Sequence, residues 1–356
     1  MKTLKVGVIG TGGIARAFHL PTLSDTPGVE LIAVCDIVRE KVVKAAEDFK
    51  VPHVFEDYRE ILELEELDAV SICTPNYLHS IIAVAAFEKG KHVICEKPDA
   101  VSVEEALKMK AASEKAGKLL MVMRNNRYDG KIQFLKKYIT EGNLGEIYAA
   151  KCGWVRRRGI PGKGGWFTTK AQSGGGPLID LGVHMIDVSI WLMGSPTPVS
   201  VTGSTYCKFA NEDTKADSAN AAFGESKAGG TFDVEDLAMG FIKFDNGASL
   251  AIEFSWASNI ESEDKYVELL GTKAGAKYHS TDSELKLFGE AVGITTDIKP
   301  NLGTAEAGQH ARYIRHFIAC IRGEETPIFV PQQGVDMIKI LTAIYQSAQT
   351  GSEVKL

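Results

Sequence analysis

Residues 4–15 read Leu-Lys-Val-Gly-Val-Ile-Gly-Thr-Gly-Gly-Ile-Ala. Leu4–Ile9 has the near-continuous apolar character of a strand buried on both faces. Gly10 to Ala15 then gives G-x-G-x-x-A, and helical character follows from Ile14 to Leu23. Each small residue has a physical task at such a junction. Gly10 permits the tight turn, Gly12 lets the backbone approach a pyrophosphate, and Ala15 lets helix and strand pack closely. The helix amino terminus faces the phosphates with free N–H groups. A second strand, Val29–Cys35, ends in Asp36, 26 residues after Gly10 (36 − 10), where an acid that holds an adenosine ribose is expected. A glycine turn made for packing alone would not need that acid. Gly10, Gly12, Gly13, Ile14, Asp36 and Ile37 are therefore candidate dinucleotide ligands.

Asp36 also selects the cofactor. A carboxylate accepts hydrogen bonds from ribose hydroxyls and repels a 2′-phosphate, and Ile37 stands where NADP sites often carry arginine. Arg39 begins the charged run Arg39-Glu40-Lys41, which reads as a solvated helix start. NAD is expected over NADP.

Beyond Asp36 the chain alternates. Helical segments are expected at 41–49, 58–64, 78–89 and 103–116. Strands are expected at 54–55, 69–73, 92–95 and 119–123. Such alternation specifies a doubly wound parallel sheet. Two strands end in polar motifs, Thr74-Pro75-Asn76 and Glu96-Lys97-Pro98. In open α/β sheets ligands bind at that carboxyl edge. A partly desolvated lysine there can exchange a proton, which makes Lys97 a catalytic candidate; an ordinary solvated loop lysine is the alternative. Asn76 reads equally as a cofactor contact or as a helix N-cap.

After Met123 the pattern changes. Strand-like runs lie at 147–156, 199–209, 236–244, 248–256, 266–271, 277–279 and 284–287, with Asp245-Asn246-Gly247 as a hairpin signal. The expected architecture is a Rossmann domain over residues 1–124, followed by an α+β domain with an open, mainly antiparallel sheet over 125–356. Residues 211–230 are small and polar and read as an exposed, mobile insertion. Arg156–Gly165 reads as a solvated hairpin edge or as a loop that covers substrate. Asp180 and His184 are i, i+4 on a helix that Pro177 opens. The histidine can exchange a proton near neutral pH and the acid can orient it or a substrate hydroxyl. Asp187, one turn on, reads as structural.

The 356 residues carry a formal charge of -6 and 24% charged side chains. That balance gives no basic footprint for nucleic acid. The six cysteines lack paired or metal-ligand spacing, so they read as reduced thiols and no metal is expected. No signal peptide and no membrane-spanning run is seen, which leaves a cytoplasmic expectation.

The motifs T-P-N-Y-L-H (74–79), G-K-H-V-I-C-E-K-P (90–98), N-N-R-Y-D (125–129) and G-G-G-P-L-I-D-L-G-V-H-M-I-D (174–187) follow G-x-G-x-x-A in order. With F-I-A-C-I-R-G-E-E-T-P near the carboxyl end, they resemble the Gfo/Idh/MocA oxidoreductases over nearly the whole chain. The resemblance implies NAD(P)-dependent oxidation or reduction of a sugar, cyclitol or related carbonyl, with Lys97, Asp180 and His184 in the catalytic roles. It implies a cis Lys97–Pro98 bond and an open sheet face for subunit contact, in a homodimer or homotetramer. On this reading Thr74, Asn76, His79, Glu96, Lys97 and Asn125 join the cofactor site. Lys97, Arg127, Arg156, Trp166, Asp180 and His184 form the substrate site. Lys97 and His184 are expected to converge on one small volume around a ring secondary hydroxyl of a sugar, glycoside or inositol. A catalytically silent dinucleotide-binding regulator, or a reductase of a non-sugar substrate, is the alternative.

Overall fold

The computed structural model describes residues 3–210, 218, 221, 223–281, 284–303 and 308–356. The chain forms two compact units, Met1–Asn125 with Ala307–Ile338, and Asn126–Glu306 with Lys339–Leu356. The sequence reading has one boundary, at 124/125. The chain instead returns to its first unit, because a late helix, Gln309–Ile321, buries Tyr313, Ile314 and Phe317 there. The Tyr313 hydroxyl donates to the Val122 carbonyl at 2.7 Å.

The first unit is a six-stranded parallel sheet in the order β3-β2-β1-β4-β5-β6. The strands are β1 (Leu4–Ile9), β2 (Val29–Cys35), β3 (His53–Phe55), β4 (Ala69–Ile72), β5 (His92–Cys95) and β6 (Leu120–Val122). Strand order reverses between β1 and β4, and a crevice outside the carboxyl ends is the rule at such a switch point. Val6, Val8, Val70, Ile72, Val93 and Ile94 are buried, which accounts for the unbroken apolar runs. Local signals fix the helices. The Ser102 hydroxyl caps Val103–Ala116 by accepting from the Glu105 N–H, and Gly117 closes that helix at φ +58°.

The second unit holds a nine-stranded sheet in the order β14-β13-β12-β11-β7-β10-β9-β8-β15. Its strands are β7 (Ile147–Val155), β8 (Pro198–Tyr206), β9 (Leu237–Phe244), β10 (Ser249–Ser255), β11 (Asp264–Gly271), β12 (Gly275–His279), β13 (Glu284–Ala291), β14 (Ile294–Ile298) and β15 (Val354–Lys355). Only β7 and β10 pair in parallel. One face is covered by helix Val183–Leu192, which packs on β7 and β11. The other carries Met239, Phe241, Leu270 and Phe288 exposed among Lys151, Glu253 and Glu268.

Two loop expectations change. Arg156–Gly165 is not a solvated edge: Ile160, Pro161 and Gly162 are buried, and the N–H groups of Arg156 and Gly159 donate to Ser255 and Trp256 carbonyls at 2.9 and 2.8 Å. The far end of the insertion, residues 223–230, is exposed as expected, yet it is pinned to this loop by the Lys227 N–H, which donates to the Lys163 carbonyl at 2.8 Å. A β-carbon on Gly164 would fall 2.0 Å from the Lys227 oxygen. Positions 211–217, 219, 220 and 222 of that insertion lie outside the described residues.

Candidate active site

The glycine turn meets β4 closely. Gly10 has φ +90°, and a β-carbon there would sit 2.6 Å from the Cys73 carbonyl oxygen. At Gly12 an added β-carbon meets nothing within 4 Å, so packing within the chain does not explain that glycine. Asp36 turns back to this loop. Its Oδ2 accepts from the Thr11 N–H at 2.8 Å and the Thr11 hydroxyl at 3.0 Å, and its Oδ1 accepts from the Val38 N–H at 3.0 Å. Ile37 beside it is 85% exposed, an apolar surface offered to solvent. Arg39 donates to Glu56 at 2.5 Å on the surface, as expected for a solvated helix start. Gly13 is exposed and Ile14 half-buried at the opening of the helix.

On the neighbouring edge, Thr74 Oγ1 is buried with no hydrogen-bond partner among the described residues. An orphaned hydroxyl there, an open glycine and a seated ribose-type carboxylate together fit a bound dinucleotide. Asn76 is buried inside a 3-10 turn, Asn76–Leu78, whose N-cap is Pro75, so the N-cap reading falls. His79 is fully buried. Its Nδ1 lies 2.7 Å from the Pro98 carbonyl and its Nε2 2.9 Å from the Thr74 carbonyl. Its ring is thus lodged between the two edge motifs rather than facing a ligand, and in the neutral form its single N–H donates to one of the two carbonyls. Burial pushes its pKa down against those carbonyls, toward a neutral ring.

The Lys97–Pro98 peptide bond is cis. Lys97 keeps partial exposure, whereas Glu96 is buried. Glu96 Oε2 accepts from the Lys97 N–H at 3.2 Å, and Oε1 lies 2.9 Å from His19 Nε2. Both oxygens are thus engaged within the unit, one on a backbone amide and one on a buried ring. His19 was not singled out in the sequence: it lies 77 residues from Glu96 on a helix whose only evident signal was the glycine motif. Asn125 is buried at the start of the turn Asn125–Tyr128.

In the second unit, the helix carrying Asp180 and His184 opens with a π turn, Leu178–Gly182, before Val183–Leu192. π segments are frequent at functional sites. From Gly175 to Ser189 only Asp180 and His184 keep partial exposure. Asp180 Oδ2 accepts from the indole N–H of buried Trp256 at 2.9 Å, and the His184 ring lies 6.0 Å from that of Trp154. Trp154 is flanked by Arg156 and Lys265, each 5.0 Å from its ring, and its N–H donates to Glu263 at 2.7 Å. Lys265 donates to Asn126 Oδ1 at 2.9 Å, and burial pulls its pKa down to about 8. Trp166 stacks on Phe167 at 3.8 Å and remains partly exposed.

The helix is seated by Glu235, also unforeseen. The Gly176 and Leu178 N–H groups and the Tyr345 hydroxyl donate to its carboxylate at 3.0, 3.1 and 2.8 Å. A carboxylate at a helix amino terminus satisfies orphan donors and the local dipole. A β-carbon on Gly176 would lie 2.0 Å from the Glu235 carbonyl, which explains part of the glycine run. Arg127 is a correction. It is buried and forked onto Asp187, Nε to Oδ2 at 2.8 Å and Nη2 to Oδ1 at 2.7 Å, so its guanidinium serves the core of this unit rather than a substrate. Asp187 is structural, as read from the sequence.

Among the described residues no helix is long and apolar enough to cross a membrane. Residues 4–124 match an oxidoreductase family with an NAD-binding Rossmann fold, and residues 136–356 match its C-terminal alpha/beta domain. The chain is 34% identical to D-glucoside 3-dehydrogenase of Escherichia coli K12 over 99% of its own length and 97% of that relative's. It is 28% identical to scyllo-inositol 2-dehydrogenase (NAD(+)) of Bacillus subtilis 168, over 99% and 96% of the two chains. The solved structure of levoglucosan dehydrogenase in complex with NADH and L-sorbose superposes with a TM-score of 0.87 at 25% identity, covering 100% of this chain and 99% of that one. A Rossmann unit with the fingerprint turn, an Asp180–His184 pair on a braced helix and matches to both domains lead to one conclusion: this chain belongs to the Gfo/Idh/MocA family of NAD-binding oxidoreductases.

Proposed function

We propose that the chain oxidises a ring secondary hydroxyl of a glycoside, sugar or inositol, with Lys97 and His184 exchanging the hydroxyl proton and Asp180 orienting the reacting group. The observation that carries this reading is the exposure pattern of the helix from Gly175 to Ser189. Asp180 and His184 alone keep partial exposure, each beside an indole, and every other residue of the stretch, Asp187 included, is buried. A silent regulator would have no need of that pair. Relatives named for a D-glucoside and a scyllo-inositol support a polyol without a charged handle.

Bound NAD supplies the hydride acceptor. Asp36 hydrogen-bonds a ribose and excludes a 2′-phosphate by like charge, the Gly10–Gly13 turn and the following helix terminus receive the pyrophosphate, and Thr74, Asn76 and Asn125 hold the nicotinamide half. Lys97 and His184 are the groups with suitable chemistry to take the proton that leaves the hydroxyl. Asp180, fixed by Trp256, holds a hydroxyl or the histidine in register, and Arg156 and Trp166 contribute polar and apolar substrate contacts.

The open sheet face with Met239, Phe241, Leu270 and Phe288 supports self-association as a homodimer or homotetramer. Six free thiols, four of them buried, support a reducing, cytoplasmic setting. The decisive experiment is a panel of glycosides, sugars and inositols assayed for NADH absorbance, with Lys97→Ala and His184→Ala as controls. Reduction of NAD by no polyol in the panel would sink the reading.

A further inference from the structure

We infer that His19 and Glu96 form a positioning pair that fixes the main chain of Lys97, so that turnover depends on a histidine in the first helix that touches neither substrate nor cofactor. The inference rests on the reading of Lys97 as a catalytic residue.

Its basis is an accounting of hydrogen bonds. The ladder of β5 continues one residue past the strand, since the Glu96 N–H donates to the Ile72 carbonyl and the Cys95 carbonyl accepts from the Met123 N–H, each at 2.8 Å. At Lys97 the chain leaves the sheet, and its N–H turns to Glu96 Oε2 at 3.2 Å. The other Glu96 oxygen meets His19 Nε2 at 2.9 Å, and His19 Nδ1 meets Ser71 Oγ at 2.7 Å. The helix after the glycine turn, β4 and β5 are thus fastened at one buried point beneath the amide of Lys97. His19 is fully buried and closes a π turn, Ala15–His19, in that helix. Both ring nitrogens are engaged, so the ring cannot rotate without losing a partner.

The charges facing the pair come from every packed element. Cys73 lies beside Ser71 on the β4 edge, Lys97 adjoins Glu96, and His310, stacked on Phe18 at 3.9 Å, adds a further positive influence on Glu96. Burial alone would discharge both partners. Cys73 and Glu96 outweigh it at His19, raising the imidazole to about 10. His19, Lys97 and His310 outweigh it at Glu96, lowering the carboxyl to about 2. Both shifts run toward the charged forms of the pair. A positioned residue fails differently from a contacting one. The lysine stays in place chemically but loses its aim, and a small misplacement of a reacting group costs on the order of 10²-fold.

The test compares His19→Gln, Glu96→Gln, Ser71→Ala and the His19→Gln/Glu96→Gln double variant in the full-length enzyme, on the best polyol of the panel. Expected is a fall in kcat of roughly 10- to 100-fold for His19→Gln and Glu96→Gln, with NAD affinity by fluorescence titration changed less than about threefold. Because the two residues act as a unit, the double variant should lose little more than the worse single one. Ser71→Ala should shift kcat the same way by less, with KM nearly unchanged. Should His19→Gln fail to fold, Glu96→Gln and Ser71→Ala decide by the same criterion. Folded variants with wild-type kcat would overturn the inference, as would strictly additive losses. Lys97→Ala separates this from the underlying reading: if that variant stays active, the catalytic assignment of Lys97 fails, whatever His19 does.

Discussion

The indole of Trp256 donates to Asp180 Oδ2 at 2.9 Å from a fully buried position, across 76 residues of sequence. The contact fixes where the Asp180 carboxylate points. Trp256→Phe removes the donor and leaves an aromatic ring in place. It should slow turnover about tenfold, by analogy with the loss of one charged hydrogen bond, and cost roughly 1–3 kcal/mol of stability through the cavity. Steady-state kinetics with a thermal melt separates the two. Unchanged kcat in a destabilised protein would reduce Trp256 to packing.

Lys97→Ala should lower kcat by about 10³-fold or more and leave NAD affinity nearly intact, because the glycine turn is the proposed pyrophosphate site. His184→Ala should lose roughly 10²-fold and raise KM. Asp180→Asn keeps shape and an oxygen and should lose about tenfold. The order of the three effects is the claim, and single-variant kinetics with NAD titrated separately checks it. A harmless Lys97→Ala would make that lysine structural.

NAD should bind at least about 10²-fold tighter than NADP, since Asp36 would meet the 2′-phosphate with like charge, and Arg39 is already paired with Glu56. Tryptophan fluorescence titration of both nucleotides measures the ratio. Asp36→Ser should narrow it mainly by weakening NAD, and equal affinities in the wild type would show that another cation overrides the acid.

The His19–Glu96 pair sets a pH window for stability. His19 is raised from 6.5 to about 10, so its contribution is complete below 6.5 and disappears as pH rises through 10. Glu96 is lowered from 4.5 to about 2, so its contribution is complete above 4.5 and disappears as pH falls through 2. The Tm difference between wild type and Glu96→Gln should therefore be largest from pH 4.5 to 6.5 and shrink toward pH 10. Melts across that range test it, and a flat difference would mean the pair is not ionic.

Gly176→Ala should be severely destabilising, by roughly 3 kcal/mol or more, since the new methyl meets backbone at 2.0 Å and cannot be accommodated by a rotamer change. Gly12→Ala should leave stability close to wild type and weaken NAD binding, because no described residue occupies that space. Melts and NAD titrations of the two variants form one comparison.

What the sequence made legible follows from what each position must satisfy locally. β1, β4 and β5 are buried on both faces, so their apolar runs stand out, and turns and caps such as Gly117 and Ser102 carry their own residue signatures. β14 was missed because Ile-Thr-Thr-Asp-Ile lies exposed at a sheet edge, where burial imposes no pattern. β15, two residues long, has no period to read. Lys97, Asp180 and His184 were singled out as candidates through motifs that travel together. Their supports were not: His19, Trp256 and Glu235 act on residues 77, 76 and 59 positions away, and no local rule relates such distant side chains. Arg127 was misassigned for the same reason, since its motif says nothing of Asp187, 60 residues on.

The return of residues 307–338 to the first unit has a consequence for the order in which the protein can be made. All six parallel strands and the glycine turn emerge within the first 125 residues. Tyr313, Ile314 and Phe317, which fill out that unit, are synthesised almost two hundred residues later. So is Phe329, which lies under the Arg124 guanidinium at 5.2 Å, beside the buried Arg124–Asp99 pair. Until then the nascent sheet must wait with an apolar flank uncovered, while eight strands of another unit, β7 to β14, emerge between its two parts. A ribosome stalled before residue 309 would therefore display a nucleotide-binding turn on an unfinished domain, a natural client for a chaperone rather than a half-sized enzyme.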